Sequence, residues 1–109
     1  MLMAGSAFCQ WIQLGSDIDG EAERDSSGKS VSLSADGNIV AIGASGNQDN
    51  GWYTGHVRIY EWNETEWIQR GNDIDGEAES DYSGISVSLS ADGTIVAIGA
   101  HGNDGNNRI

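Results

Sequence analysis

The acidic side chains of this sequence are concentrated in two short runs that could bind a cation. Acids alternate with other residues from Asp17 to Asp25, and the same spacing returns from Asp73 to Asp81. Carboxylate oxygens spaced in this way can converge on calcium, which takes about 6–8 oxygen ligands. The candidate calcium ligands are Asp17, Asp19, Glu21, Asp25, Asp73, Asp75, Glu77 and Asp81.

The acidic runs do not follow the EF-hand pattern. Counted from Asp17, the sixth residue is Ala22 where that loop has Gly, and the twelfth is Gly28 where it has Glu. The alternative is a solvated loop in which Asp25 and Asp81 accept backbone hydrogen bonds and brace the next turn. The solvated loop is the favoured interpretation. The sequence therefore predicts no cofactor, with calcium as the alternative.

A second polar loop, residues 47–54, contains residues that could contact a partner. Trp52 is not repeated, because Arg108 stands at the equivalent position, and this favours a surface role for it. Aromatic side chains with a polar atom are enriched at interfaces. Trp11 and Trp67 are equivalent to each other, and packing between repeats is favoured for them. The candidate contacts for a protein or carbohydrate partner are Asp49, Trp52, Tyr53 and His101.

Catalytic chemistry has little support in the sequence. The serines occur in no G-x-S-x-G elbow and have no base placed beside them. His56 has no counterpart in the second copy, and His101 aligns with Ser45, so neither belongs to a repeated site. Cys9 is the only cysteine, which excludes an internal disulfide, and no neighbouring cation activates its thiol. The sequence predicts a protein that is not an enzyme.

The elements that position these residues are repeated. Residues 11–44 return with an offset of 56 residues, and 28 of the 34 positions are identical without a gap. A fixed period of this size indicates an array in which each repeat is one supersecondary unit, and about three or more repeats are usually needed to bury a core. We expect an atypical segment in residues 1–10, a first repeat in residues 11–66 and a truncated second repeat in residues 67–109.

The local patterns predict strands throughout the repeat. Residues 30–34 alternate polar and apolar side chains, and residues 39–44 form an apolar run rich in β-branched residues. Asp36-Gly37 between them predicts a tight hairpin in which both residues tolerate positive φ. Residues 56–62 alternate again, and residues 66–69 form a short fourth strand. Gly43 and Gly99, inside strands, are expected to allow close approach of a neighbouring strand.

These patterns predict an all-β fold of four-stranded antiparallel repeats. A β-propeller, with each four-stranded sheet as one blade, fits this spacing better than a β-solenoid, whose rungs are usually shorter than this repeat. About two blades of 56 residues make a partial propeller. We expect apolar blade faces lined by residues such as Val31, Leu33, Val40, Ile42, Val57 and Ile59 to remain uncovered, so that the chain self-associates or is followed by further repeats.

The charge restricts the classes of partner. The formal net charge is −12, from 17 acidic and 5 basic residues. Nucleic acids and anionic membranes are recognised through clustered Lys and Arg, so neither is expected as a partner. No apolar run reaches about 18 residues, which predicts no membrane insertion. Residues 1–9 lack the basic start and the apolar stretch of a signal peptide.

Three short motifs that follow one another along the first copy together resemble an FG-GAP repeat. They are Asp25-Ser26-Ser27-Gly28-Lys29-Ser30-Val31, then Val40-Ala41-Ile42-Gly43-Ala44, then Gly55-His56-Val57-Arg58-Ile59-Tyr60. The first two return in the second copy. The resemblance implies propeller blades like those of the integrin α-subunit head, in large secreted or surface proteins. The family binds calcium between its first two strands, but residues 35–38 are too few to surround that ion.

The resemblance implies a non-catalytic propeller fragment for adhesion, protein recognition or scaffolding in a cell-surface or secreted parent protein. The loops of residues 47–54 and 17–25 are the expected contact face. Two alternatives stay open at this point. One is a calcium-stabilised structural repeat, and the other is a partial gene product without independent function.

Overall fold

The strands follow the repeat and begin and end close to the predicted residues. The computed structural model describes residues 11–49 and 51–103. Within these ranges there is no helix, and so none that could span a membrane. The strands are β1 (Ser27–Leu33), β2 (Ile39–Ala44), β3 (His56–Trp62), β4 (Trp67–Gln69), β5 (Ile74–Asp75), β6 (Ser83–Leu89) and β7 (Val96–Ala100).

The first sheet joins β1, β2, β3 and β4 in that order, and all its pairs are antiparallel. This confirms the predicted hairpin and the two strands after it. The fourth strand comes from the start of the second sequence copy, where Trp67 pairs with Trp62. Strand β5 also belongs to the second copy and pairs with the beginning of β3. The first sheet is therefore completed by residues of the second repeat.

The hairpin turn between β1 and β2 differs in detail from the prediction. Gly37 has a φ of 76° and its counterpart Gly93 a φ of 73°, as predicted. Asp36 does not have a positive φ, so only the glycine of the Asp-Gly pair takes the conformation expected for a tight turn. The connection spans residues 35–38, as predicted, and is closed by Ser34, whose amide donates to the carbonyl of Ile39 over 2.9 Å. Asp36 instead uses its carboxylate to accept hydrogen bonds inside the loop.

The second sheet repeats the first hairpin. Strands β6 and β7 pair in the register of β1 and β2, so that Val87 lies opposite Ile98 as Val31 lies opposite Ile42. Both hairpins have an irregularity at the start of the first strand, where the glycines have φ values of 89° (Gly28) and 91° (Gly84). The two copies therefore have the same local structure.

The two sheets pack face to face, and β6 lies against β1 and β2. The hydroxyl of Ser30 donates to the carbonyl of Gly84 over 2.8 Å, and the amide of Leu89 donates to the hydroxyl of Ser32 over 3.0 Å. A Cβ atom on Gly43 would overlap the carbonyl oxygen of Gly84. The prediction that Gly43 allows close approach of a neighbouring strand is therefore confirmed.

The core lies at this junction between the sheets. Ala41 and Val57 are completely buried, and Ile39 is 8% exposed. Ile95, which is equivalent to Ile39, is 69% exposed because no described strand covers its sheet. On the outer side of the first sheet, Val31 and Leu33 are about 60% exposed, as expected for uncovered faces. The predicted exposure of Val57 and Ile42 is wrong, because Val57 is completely buried and Ile42 is only 8% exposed.

Candidate functional site

Three carboxylates surround one buried histidine near the junction of the repeats. Glu21 precedes β1, Asp49 lies between β2 and β3, His56 begins β3, and Asp73 precedes β5. One ligand atom of each residue lies within 4.8 Å of the others. We call these four residues the His56 cluster. The cluster consists of three acidic side chains from separate segments of the chain and the Nδ1 atom of His56, which faces them.

Strand pairing positions the His56 cluster. Strand β5 pairs with β3 so that His56 lies opposite Asp75, and this register brings Asp73 to the histidine. The Nδ1 atom of His56 is 3.4 Å from Oδ2 of Asp73 and 3.9 Å from Oε1 of Glu21. The side chain of His56 is 1% exposed, whereas those of Glu21 and Asp73 are 37% and 26% exposed. The histidine of the cluster is therefore buried, whereas its carboxylates are partly exposed to solvent.

The Nδ1 atom of His56 is buried and has no hydrogen-bond partner. Buried polar atoms in folded proteins are nearly always hydrogen-bonded, because an unpaired one costs about 1–3 kcal/mol. Arg58, on the same face of β3, is already engaged. Its Nη2 donates to the carbonyl of Asp19 over 2.8 Å, and its Nη1 is 3.8 Å from Oε2 of Glu21. The unsatisfied nitrogen thus points into a group of acceptors without a bond to any of them.

The neighbouring acids of the cluster change the protonation of Glu21. A hydrogen bond with Asp49, with contributions from burial and from the charge of Asp73, raises the pKa of Glu21 above its ordinary value. The pKa rises because neighbouring carboxylates make the ionised form of Glu21 less favourable. A bound cation would reverse this effect, since it attracts all three carboxylates.

The structure does not bring the eight predicted calcium ligands together. Of these, only Glu21 and Asp73 belong to the His56 cluster. Asp25 is buried and accepts a hydrogen bond from Nδ2 of Asn47 over 3.0 Å. Asp81 accepts from the amide of Ala78 over 2.9 Å, as expected for a loop brace. The others lie elsewhere: Asp17 accepts from Gln13, Glu77 accepts from Asn103, and Asp19 and Asp75 are exposed.

The sequence interpretation missed the role that His56 and Asp49 take together. The alternation of residues 56–62 indicates only that His56 shares a strand face with Arg58, and the sequence places Asp49 among the candidate partner contacts. Alternation in β3 does predict that His56 and Arg58 share a face. It does not predict that residues 35 and 17 positions away, Glu21 and Asp73, reach this face, because their placement depends on a loop and on the β3–β5 pairing.

Four rings form a continuous row across the two repeats. The ring centres are 6.0 Å apart for Trp52 and Tyr53, 5.5 Å for Tyr53 and Tyr82, and 5.1 Å for Tyr82 and His101. We call these four residues the aromatic row. Three of them are predicted contact residues. Tyr82 is not, although it is unrepeated in the same way as Trp52, with Ser26 as its counterpart. Asp49, the fourth predicted contact, belongs to the His56 cluster instead.

Backbone hydrogen bonds between the repeats hold the aromatic row. The amide of Ser80 donates to the carbonyl of Trp52 over 2.7 Å, and the amide of Tyr82 donates to the carbonyl of Tyr53 over 2.9 Å. Tyr53 and Tyr82 both have positive φ values, 54° and 56°. Bulky residues rarely adopt this conformation. Ser26, the counterpart of Tyr82, has a φ of 60°, so at Tyr82 the conformation belongs to a turn that both repeats share. Trp52 is 63% exposed, so the row has an open surface.

Comparison with known proteins adds no family to this description. A scan against family models, a search of curated proteins and a search of solved structures found no match for the chain. The resemblance to FG-GAP repeats therefore stays a prediction that rests on the three motifs.

Proposed function

We propose that this chain is a non-catalytic recognition module of propeller-type repeats in a secreted or cell-surface protein, and that the aromatic row binds a protein partner. The row itself carries this proposal. Its rings come from both repeats, have centres 5.1 to 6.0 Å apart, and are held by backbone hydrogen bonds between the repeats. Rigid aromatic side chains contribute much of the energy of protein interfaces at a small entropic cost.

A propeller arrangement is supported by the way the two sheets meet. The first sheet consists of β1, β2, β3 and β4 in order, with β5 also paired to β3, and the first strand of the next sheet packs on its face. Blades packed face to face around an axis have this relation to each other. In such an arrangement the loops between strands lie at the two ends of the axis. The aromatic row, which is built from these loops, would therefore belong to one end of the array.

The charge indicates the chemistry of the partner. With a net charge of −12, the chain attracts basic surfaces over long distances and repels acidic ones. Lys and Arg side chains also bind the faces of Trp and Tyr rings, with about 0.5–2 kcal/mol for each contact. An acidic surface with an open aromatic row suits a protein segment that presents basic side chains.

Short synthetic peptides of increasing Lys and Arg content, together with a glycan array, test this proposal. We expect the basic peptides to bind the full chain, and Trp52→Ala to weaken that binding about tenfold, or roughly 1.4 kcal/mol. Trp11→Ala is the matched control, because Trp11 is 99% exposed but lies outside the row. Fluorescence anisotropy of labelled peptides measures both affinities.

Two results would contradict the proposal. Equal effects of Trp52→Ala and Trp11→Ala would remove the aromatic row as the contact surface. Binding to glycans but not to peptides would show that the partner is a carbohydrate and not a protein.

A further inference from the structure

We propose that the His56 cluster is a binding site for a divalent transition metal, with zinc as its probe, and that the metal links the two repeats. This inference does not depend on the function proposed for the aromatic row. Two independent observations support it. Three carboxylates converge from separate segments, and a histidine that is 1% exposed directs an unpartnered Nδ1 atom into the space between them.

The donor atoms suit zinc. Zinc takes imidazole nitrogen and carboxylate oxygen in a tetrahedral arrangement at about 2.0–2.2 Å, which places its ligands about 3.3–3.5 Å from one another. Nδ1 of His56 is already 3.4 Å from Oδ2 of Asp73, and Oε1 of Glu21 is 3.9 Å from Nδ1. All four donor atoms lie within 4.8 Å of one another. Small rotations of the exposed Glu21 and Asp49 side chains would complete the site.

The local charge also suits a divalent cation. The three carboxylates and the guanidinium of Arg58 leave two negative charges around the Nδ1 atom of His56. Arg58 approaches Oε2 of Glu21, whereas Oε1 is the oxygen directed to His56. Each oxygen of Glu21 therefore has a separate function, one for the guanidinium and one for the metal.

Calcium fits these residues less well. Calcium takes about 6–8 oxygen ligands and does not select imidazole nitrogen, whereas nitrogen and carboxylate donors together favour zinc and the later first-row metals. The only buried donor of the cluster is the histidine nitrogen. A transition metal would satisfy this atom, and calcium would leave it unpaired.

The metal would join parts of the chain that belong to different repeats. Glu21, Asp49 and His56 come from the first copy, and Asp73 comes from the second. In the sequence, Glu77 is equivalent to Glu21, but Gly105 stands at the position equivalent to Asp49. The second copy therefore lacks this ligand set, and Glu77 is a matched control for Glu21.

Isothermal titration of zinc into the metal-free full chain tests the inference. The measurement uses a Cys9→Ser background, because a thiolate binds zinc by itself. We expect one zinc per chain and a higher melting temperature with zinc, since a ligand that binds only the folded state stabilises it. Asp49→Asn and Glu21→Gln should each weaken binding about tenfold or more, since loss of supporting residues alone costs about 10–100-fold.

The control variant is Glu77→Gln, which should keep the affinity within about twofold. His56 is buried and its replacement risks the fold, so the two exposed carboxylate variants and a spectroscopic signal serve instead. The chain has two histidines, and His101→Ala identifies the nitrogen NMR signals of His56. Zinc should shift the Nδ1 signal of His56 and leave that of His101 unchanged in the parent chain.

Any of three outcomes would overturn the inference. The first is no zinc binding, or zinc binding that leaves the His56 signal unchanged. The second is an equal loss of affinity in Glu77→Gln and Glu21→Gln. The third is calcium binding that is tighter than zinc binding and is lost in Asp49→Asn.

Discussion

Gly43 and Gly99 occupy equivalent positions in the two copies but have different surroundings. A Cβ atom on Gly43 would meet the backbone carbonyl of Gly84, on the sheet packed against it, and the hydroxyl of Ser30. A Cβ atom on Gly99 would meet only the hydroxyl of Ser86 at overlapping distance. A backbone atom cannot move without displacing its strand, whereas a serine hydroxyl can rotate away. The same residue is therefore essential for packing in one copy and not in the other.

Gly43→Ala should consequently destabilise the chain by about 1–3 kcal/mol, the usual cost of overpacking. Gly99→Ala should cost less, because only a side chain must move. Urea unfolding of the two variants measures the difference directly. Equal losses in both would mean that the sheets do not approach each other at Gly43.

At the scale of elements, the two hairpin loops are built from the same hydrogen bonds. Asp36 accepts from the amide of Asn38 and the hydroxyl of Ser34, and Ser34 in turn accepts from the amide of Ile39. In the second loop, Asp92 accepts from Thr94 and Ser90 in the same way. The bonds from Asn38 and Ser34 lower the pKa of Asp36, and those from Thr94 and Ser90 lower the pKa of Asp92. These carboxylates favour the charged form when the loop is folded.

The lowered pKa values predict a loss of stability in acid. A carboxyl group whose pKa is lower in the folded state contributes fully above its unfolded pKa of about 3.9. The contribution disappears as the pH falls from about 4 through the folded pKa. Asp36→Asn with Asp92→Asn should therefore make the urea midpoint depend less on pH below about 4. Each single variant should give about half of this effect, because the two loops are separate.

A pH dependence that is the same in the double variant and the parent chain would contradict this prediction. In that case the loss of stability in acid would come from other carboxylates. The hydrogen bonds of the two loops would then not stabilise the charged form of Asp36 and Asp92.

On the scale of the whole molecule, the described chain has two exposed sheet faces. Each is equivalent to one side of the interface that is buried between the two sheets. Inside the molecule, β6 packs on β1 and β2. The outer face of β1 exposes Val31 and Leu33, and the far sheet exposes Ile95. The face with Val31 and Leu33 is equivalent to the surface of β6 that packs on the first sheet. The face with Ile95 is equivalent to the surface of the first sheet that β6 covers. A second copy could therefore pack head to tail in the way that the repeats pack on each other.

We predict head-to-tail association of the chain in solution, and that salt strengthens it. Exposed apolar sheet faces favour association, whereas the charge of −12 opposes it through repulsion that salt screens. Light scattering at low and high salt should show a mass that increases with salt. Ile95→Asp should reduce the mass, because it places a charge on one of the two open faces.

A compact monomer that melts cooperatively at both salt concentrations would contradict this prediction. A mass that stops at a dimer would show a symmetric contact instead, because head-to-tail contacts continue into chains or rings.

Much of the fold followed from local patterns, but the candidate sites did not. Alternation and apolar runs predicted β2 and β3 to the residue, and Asp-Gly predicted where the first hairpin turns. Three members of the aromatic row were predicted as contacts, but not their stacking, because the row depends on two loops in different repeats. The His56 cluster was not predicted as a unit, since neither spacing nor periodicity relates Asp49 to Asp73.

The sequence by itself determined the repeat, the strand type of each segment and the loop residues, because these depend on side chains close together along the chain. Only the tertiary structure decided which residues of each copy pair in a sheet and which are buried. Trp67-Ile68-Gln69 is a strand because β3 pairs with it, whereas the identical residues 11–13 form no strand where no described strand pairs with them. Ile39 is buried and Ile95 is exposed for the same reason. Identical local sequences differ here because burial and pairing depend on neighbours that are distant along the chain.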